Sequence, residues 1–328
     1  MLARHAESLF WCGRYLERAE DTARLLDVTY HGLLESPPHE ARRSWLDLLV
    51  VLNLDHEFLA RQSTVNARTV SEFLVSDESN VGAIVSAVGR ARENTRSVRE
   101  LVSTEFWEAI NTFHWELSGR DLAHDLAQQP YELYGLVKRR CQTVSGVAAE
   151  TMPRDDGWRF LMLGWMLERA EMTCRLLNVR YGELEAVPDV DRFHVVLGVL
   201  KSASSAEAFR KQYGASMDPA HVVEFLLLAR NLPRSVLYCL HQAEKDLTRL
   251  DTPDALGRPQ RMLGRLRGEI EFLDVKELLA GGLHETLDGI QRGVRDVADA
   301  IALRYFRNLQ VELHAVEFNP LAEAIGET

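Results

Sequence analysis

The chain has 328 residues, 46% hydrophobic and 27% charged, with a formal net charge of −11 at pH 7 and a pI near 5.5. This is the make-up of a globular protein with a sizeable core, and the acidic balance argues against non-specific nucleic-acid binding, which needs a positive field. The longest apolar runs, 160–167 and 222–229, fall far short of the ~20 residues that span a bilayer.

Prolines mark the ends of segments. Pro37, Pro38, Pro130, Pro153, Pro188, Pro219, Pro233, Pro253 and Pro259 separate stretches whose apolar residues recur at helical spacing. No stretch alternates with a period of two between hairpin turns, so strands are unsupported. The spacing predicts helices over 4–35, 40–62, 66–75, 80–103, 104–117 and 130–150. MPRDDG at 152–157 reads as a linker. Helices follow over 157–184, 189–202, 204–214, 219–230, 232–250, 258–280 and 283–313, with an irregular tail from Glu317. The fold class is all-α.

The chain repeats itself. Residues 13–30 read GRYLERAEDTARLLDVTY and residues 164–181 read GWMLERAEMTCRLLNVRY, identical at 12 of 18 positions without a gap. A weaker echo, VSEFLV at 70–75 and VVEFLL at 222–227, keeps the same order, followed by IVSAV at 84–88 and VLYCL at 236–240. Self-similarity of this length points to two copies of one structural unit. The expectation is a helical bundle of two pseudo-repeats of about 150 residues, 1–151 and 152–328, related by a pseudo-twofold axis. Repeat order alone leaves open two packed bundles or one fused unit.

On a helix, positions three and four apart share a face. Glu17, Glu20 and Arg24 therefore line one stripe, and Glu168, Glu171 and Arg175 line its copy. Arg18 and Arg169 point roughly 100° away from the neighbouring glutamates. Phe160, Leu161, Met162, Leu163, Trp165, Met166 and Leu167 make the second copy apolar on every side, which predicts burial. Gly13 and Gly164, costly within a helix, suggest close approach of another backbone.

Two readings of these eight polar residues stand side by side. In one, each arginine pairs with a glutamate, within the helix or between the halves, in a buried network that fixes register. In the other, the glutamates and arginines line a central cleft. Carboxylates there would bind a cation or act as base, and guanidinium groups would hold a carboxylate or phosphate. A di-metal centre is disfavoured, because the motif lacks histidine and carries an arginine one turn later. No metal and no cofactor is expected.

Other signals are weak. Cys12, Cys141, Cys174 and Cys239 form no CxxC pair and read as buried reduced thiols. His221 and Glu224 read as structural. The charged and aromatic stretch 92–117 gives stripes of Glu105, Glu108 and Asn111 and of Trp107, Ile110 and His114, a solvated face or a wall of the cleft. Trp45, Trp107, Trp115 and Trp158 are expected in cores. The basic runs Arg42, Arg43 and Lys138, Arg139, Arg140 read as solvated faces. Arg4, His5 and Glu7 interrupt any leader-like opening, so a cytoplasmic location is expected. No Gly-rich phosphate loop, nucleophile elbow or HExxH is present.

The opening AESLFWCGRYLERAEDTARLL at 6–26, with its Glu17-Arg18 pair repeated as Glu168-Arg169, resembles the bacterial alpha-E domain proteins (DUF403), as do RENTRSVRE and EFWEAIN. The likeness covers essentially the whole chain. It implies an all-helical fold and a genetic setting beside, or fused to, a circularly permuted ATP-grasp protein and a transglutaminase-like protein, a set suited to making and cutting peptide or isopeptide bonds. The resemblance implies a helical accessory that binds a partner or a peptide at the Glu/Arg cleft. The alternative is an enzyme acting on the ligated product, with Glu17, Arg18, Glu20, Arg24, Glu168, Arg169, Glu171 and Arg175 as its site. Nucleic acid and membrane are not expected partners.

Overall fold

Two long helices form the spine. The computed structural model describes residues 1–34, 38–186, 192–251 and 256–306. Helix α1 (Ala3–Leu34) and helix α9 (Asp156–Ala186) carry the two motif copies and pack along each other more extensively than any other pair. Leu9, Cys12, Leu16, Ala19, Ala23 and Leu26 of α1 are buried on several sides, the pattern of a helix enclosed by others. Leu161, Leu163, Leu167, Ala170, Cys174 and Leu177 do the same for α9.

The remaining helices wrap this pair. In the first half they are α2 (Ala41–Leu52), α3 (Asp55–Arg61), α4 (Ala67–Val75), α5 (Ile84–Ser97), α6 (Thr104–Ser118), α7 (Leu122–Gln128) and α8 (Pro130–Thr151). In the second they are α10 (Arg192–Ser202), α11 (Ala206–Tyr213), α12 (Pro219–Leu228), α13 (Val236–Thr248), α14 (Arg258–Glu271), α15 (Val275–Gly281) and α16 (Leu283–Ile301), ending in a π-helical turn at Ala302–Phe306. The described residues contain sixteen α-helices and no strand. Helices α5 and α8 flank α1, α13 and α16 flank α9, and α2 and α10 each touch both spine helices. One hydrophobic cluster runs from Ala6 to Ile301 through both halves of the chain.

Where helix limits differ from the sequence expectation, a cap or turn explains it. The helix expected over 40–62 breaks because Asn53 adopts a left-handed φ of 57° and its N–H closes on Leu49 and Val50 carbonyls. The helix expected from residue 80 starts at Ile84, since buried Asn80 accepts from the Gly82 N–H at 2.8 Å and donates to the Phe73 carbonyl at 2.9 Å. The helix expected from residue 232 starts at Val236, where Ser235 caps it by accepting from the Tyr238 N–H. Asp274 caps α15 in the same way and splits the segment expected over 258–280. Helix α7 was not expected; at seven residues it is too short to show a period, and the Asp121 cap is its signal. Expected helical residues 35, 189–191 and 307–313, and the tail from Glu317, lie outside the described residues.

One expectation about the tryptophans is corrected. Trp45 is buried, but Trp107 and Trp158 are half-buried and Trp115 is 59% exposed. The buried stripe of α6 is Phe106, Ile110, Phe113 and Leu117, which turns Trp115 outward. There the Arg92 guanidinium lies 5.4 Å from its ring. All four cysteines are free and buried. Among the described residues, no helix is long and apolar enough to cross a membrane.

Candidate functional site

Two glycines let the spine helices touch. A Cβ on Gly13 would run into the Leu161 carbonyl oxygen and come 3.0 Å from the Trp165 nitrogen. A Cβ on Gly164 would run into the Phe10 carbonyl oxygen and come 3.1 Å from the Arg14 nitrogen. Each glycine therefore meets main chain three residues before, and one residue after, the other glycine. The obstacle is backbone in both cases, so no side-chain movement could relieve it.

One turn further on, the motif residues pair across the same contact. Arg169 donates to both oxygens of Glu17, through Nε and Nη2, at 2.7 Å each. Arg18 donates through Nε to Glu168 at 2.7 Å. The arginine of each copy thus serves the glutamate of the other. The angular offset of Arg18 and Arg169 from their neighbouring glutamates is what lets them reach across.

A first centre surrounds Glu17. Arg234, from the loop ahead of α13, donates to Glu17 at 2.8 Å, to Asp21 at 2.6 Å and to Glu20 at 3.1 Å. Arg24 bonds Glu20 within α1 and reaches Ser204 ahead of α11. The Arg234 carbonyl accepts from Thr173 of α9 at 3.0 Å, which fixes the loop. Glu17, Glu20 and Asp21 together face Arg24, Arg169 and Arg234.

A second centre surrounds Glu168. Arg14 donates to it at 3.0 Å, beside Arg18. Glu171 stands 3.7 Å from Arg14 and 3.7 Å from Arg295 of α16. Arg175 does not complete this centre as Arg24 completes the first; its Nη1 lies 3.4 Å from the Leu52 carbonyl at the end of α2.

Burial and charge set the protonation states. Glu17 and Glu168 have no solvent exposure. Burial alone would raise the Glu17 carboxyl, but Arg169 and Arg234 outweigh it and hold it at about 2. Glu168 is likewise held below the usual range, against burial, by Arg18 and Arg14. Asp21 goes the other way. Burial pushes it up to about 7, opposed by Arg234 and aided by Glu17, and its Oδ2 has no hydrogen-bond partner. Arg234 is raised by Glu17, Asp21 and Glu20 despite burial.

The arrangement is an ion-pair lattice inside the helix pair. Glu17 and Glu168 are engaged at both oxygens and are unsuited to proton transfer. Among the described residues no group of three His, Cys, Asp or Glu side chains is placed to hold a metal ion. Two surface hollows, of about 340 Å3 beside His241 and Arg249 and about 270 Å3 beside Trp45 and Val65, are lined by no motif residue.

Sequence reasoning singled out eight residues, and six of them (Glu17, Arg18, Glu20, Arg24, Glu168 and Arg169) meet a charged partner at bonding distance. Four further participants lie outside those eight. Arg14 and Asp21 stand inside the first copy where the second has Trp165 and Met172, a difference between the copies that the sequence shows. Arg234 and Arg295 lie in no motif, and nothing in the chain marks them. His221 is structural, paired with Ser216 at 2.7 Å and stacked on Tyr213.

A family profile described as "A predicted alpha-helical domain with a conserved ER motif" matches residues 1–306. The Glu17-Arg18 and Glu168-Arg169 pairs are the two ER pairs within the repeated segments. An uncharacterized protein of Mycobacterium bovis is 27% identical, in an alignment taking in 89% of this chain and 36% of that protein. Uncharacterized proteins from two strains of Mycobacterium tuberculosis are 27% and 26% identical with the same coverage. The chain thus spans about a third of the length of these curated relatives, 36%. No solved structure matches it.

Proposed function

The chain belongs to the Alpha-E family, and from that premise we propose that it is a non-catalytic helical partner in a system that makes or cuts peptide or isopeptide bonds. Its partners in this reading are an ATP-grasp protein and a transglutaminase-like protein, or the peptide they act on. One observation carries the reading: the ER glutamates spend both oxygens on arginines of the opposite helix. The motif then serves to lock α1 to α9. Contact with a partner or peptide falls to the edge of the Glu/Arg set, where the side chains of Arg18 and Arg295 reach solvent. In this reading the set works in the cytoplasm.

The same reading takes the chain as two pseudo-repeats, 1–151 and 152–328, fused about a pseudo-twofold axis. The reciprocal glycine contacts and the exchanged arginines support it. So does the matched packing of α5 on α1 and of α13 on α9.

Co-purification with a circularly permuted ATP-grasp protein from the same genome, with and without nucleotide, tests the partnership. Association is expected, and a clean failure under both conditions overturns it. One observation favours the second reading, an enzyme acting on the amide product. Asp21 keeps an unpartnered oxygen and changes protonation near neutrality. In that reading Glu20→Gln and Glu171→Gln abolish turnover with little change in melting temperature. In the first reading Glu20→Gln lowers the melting temperature, because Arg24 and Arg234 lose a shared charge.

A further inference from the structure

The charged and aromatic stretch 92–117 folds into a ladder that the Glu/Arg set does not use. The Arg92 guanidinium lies 5.4 Å from the Trp115 ring and 5.6 Å from the Trp107 ring. Arg99 lies 5.5 Å from the Trp107 ring. Ring and cation thus alternate from Trp115 through Arg92 and Trp107 to Arg99, and the His114 ring stands T-shaped on Trp115 at 5.2 Å. Arg92 is fixed in its place by bonds to Asn111 at 2.8 Å and to Glu93 at 2.6 Å. Trp115, at one end, is 59% exposed.

Packing of the helices does not require this ladder. Helices α13 and α14 pack on each other as α5 and α6 do. Their buried stripes match by spacing. Ala91 and Thr95 of α5 answer to Ala243 and Leu247 of α13. Ile110, Phe113 and Leu117 of α6 answer to Leu263, Leu266 and Ile270 of α14. Where the first pair has Arg92, Asn111 and Trp115, the second has Glu244, Gly264 and Gly268. A Glu244–Arg267 ion pair joins that second pair instead. Tryptophan and arginine held rigid at a surface are also the side chains that dominate protein interfaces.

Charge indicates what meets this face. Arg92, Arg96 and Arg99 have one carboxylate at ion-pair distance among the described residues, Glu93. Arg99 is exposed and makes neither a hydrogen bond nor an ion pair with any described residue. A guanidinium without an acceptor is matched by a carboxylate, and an open indole by an apolar side chain. We propose that this face of α5 and α6 docks a short acidic segment of a partner protein, with an apolar side chain on Trp115 and a carboxylate on Arg99. A nucleic acid would stack on the same rings, but its many phosphates meet a chain of net charge −11. A short segment meets only the local surplus of arginine. The surface uses no residue of the Glu/Arg set, so it stands or falls apart from the partnership proposed above.

Calorimetric titration of the full chain at fixed ionic strength tests this. The probes are an octapeptide alternating glutamate and phenylalanine, its lysine–phenylalanine counterpart, and an oligothymidylate of matched length. Saturable binding of the glutamate peptide is expected, with the lysine peptide and the oligothymidylate much weaker. Trp115→Ala, at an exposed position, weakens binding about tenfold, the size of an interface anchor. Arg99→Gln weakens it severalfold, and Arg68→Gln on α4 leaves it unchanged. If Trp115→Ala does not fold, Arg99→Gln decides alone. Absence of saturable binding by the glutamate peptide overturns the proposal. So does equal binding of the lysine peptide, tighter binding of the oligothymidylate, or binding unaltered in the Trp115 or Arg99 variant.

Discussion

Arg169 of α9 places Nε and Nη2 2.7 Å from the two carboxylate oxygens of Glu17 on α1, a fork-to-fork pair with no solvent on the glutamate. Such a pair specifies register more than it adds net stability, because desolvating both charges offsets most of their attraction. Breaking it from one side is a different matter. Arg169→Met is expected to cost about 3–5 kcal/mol, since Glu17 stays buried with Arg234 as its remaining partner. The double variant Glu17→Leu with Arg169→Met should regain a substantial part. Urea unfolding of the single and double variants measures both. A single-variant loss below about 1 kcal/mol would refute the account.

The glycine contacts predict a sharper effect. Gly13→Ala and Gly164→Ala each drive a methyl group into main-chain atoms of the opposite helix. The helices must separate, and with them the pairs one turn away. A loss of about 3 kcal/mol or more is expected for each. Gly146 on α8 is the control, for a Cβ there meets nothing within 4 Å. Gly146→Ala should stabilise by up to about 1 kcal/mol through helix propensity. Equal thermal shifts for the three variants would contradict the close approach.

The first centre makes stability depend on pH in two opposite ways. Asp21 rises from an ordinary 3.8 to about 7 on folding, chiefly through burial. The native chain then holds a proton that the unfolded chain has released. Its contribution is present at acid pH, declines as pH rises from about 4 to about 7, and is gone above that. Glu17 is held at about 2 by Arg169 and Arg234 against burial. Its contribution is present above about pH 4.5 and is lost as pH falls toward 2. Between them the two groups place the maximum at about pH 4, where the rise of one cancels the fall of the other. Asp21→Asn, a fixed mimic of the protonated acid, should flatten the decline between about pH 4 and 7 and leave the acid limb intact. Thermal melts across that range check it; a decline unchanged in Asp21→Asn counts against the assignment.

The thiols should be inert in the native state. Cys12 and Cys239 are pushed up to about 12 by burial, and Cys141 and Cys174 are raised by the same cause. A thiol-specific reagent at pH 8 should modify none of the four until the chain unfolds. Rapid native-state labelling of any of them would show that its surroundings open.

Much of the candidate site was legible because a helix imposes its own geometry. The repeated Gly13 and Gly164 announced a close approach, and the apolar run 160–167 announced burial. Neither inference needs to know what lies opposite. Helix limits were less legible at Asn53, Asn80 and Asp274, where a single side chain or a left-handed residue ends or starts a turn inside an otherwise periodic stretch.

By itself the sequence determined the helical class, the duplicated Glu-Arg segment and the positions at which a backbone could come near. The helical period assigns each residue to a face, and a face is a local property. Only the tertiary structure decided which charges meet. It gave Glu17 to Arg169 and Glu168 to Arg18, brought Arg234 and Arg295 in from outside any motif, and left Arg175 apart from the glutamate four residues before it. Those outcomes depend on which helix packs opposite and on what that helix carries one turn along, and no spacing within a single segment encodes either.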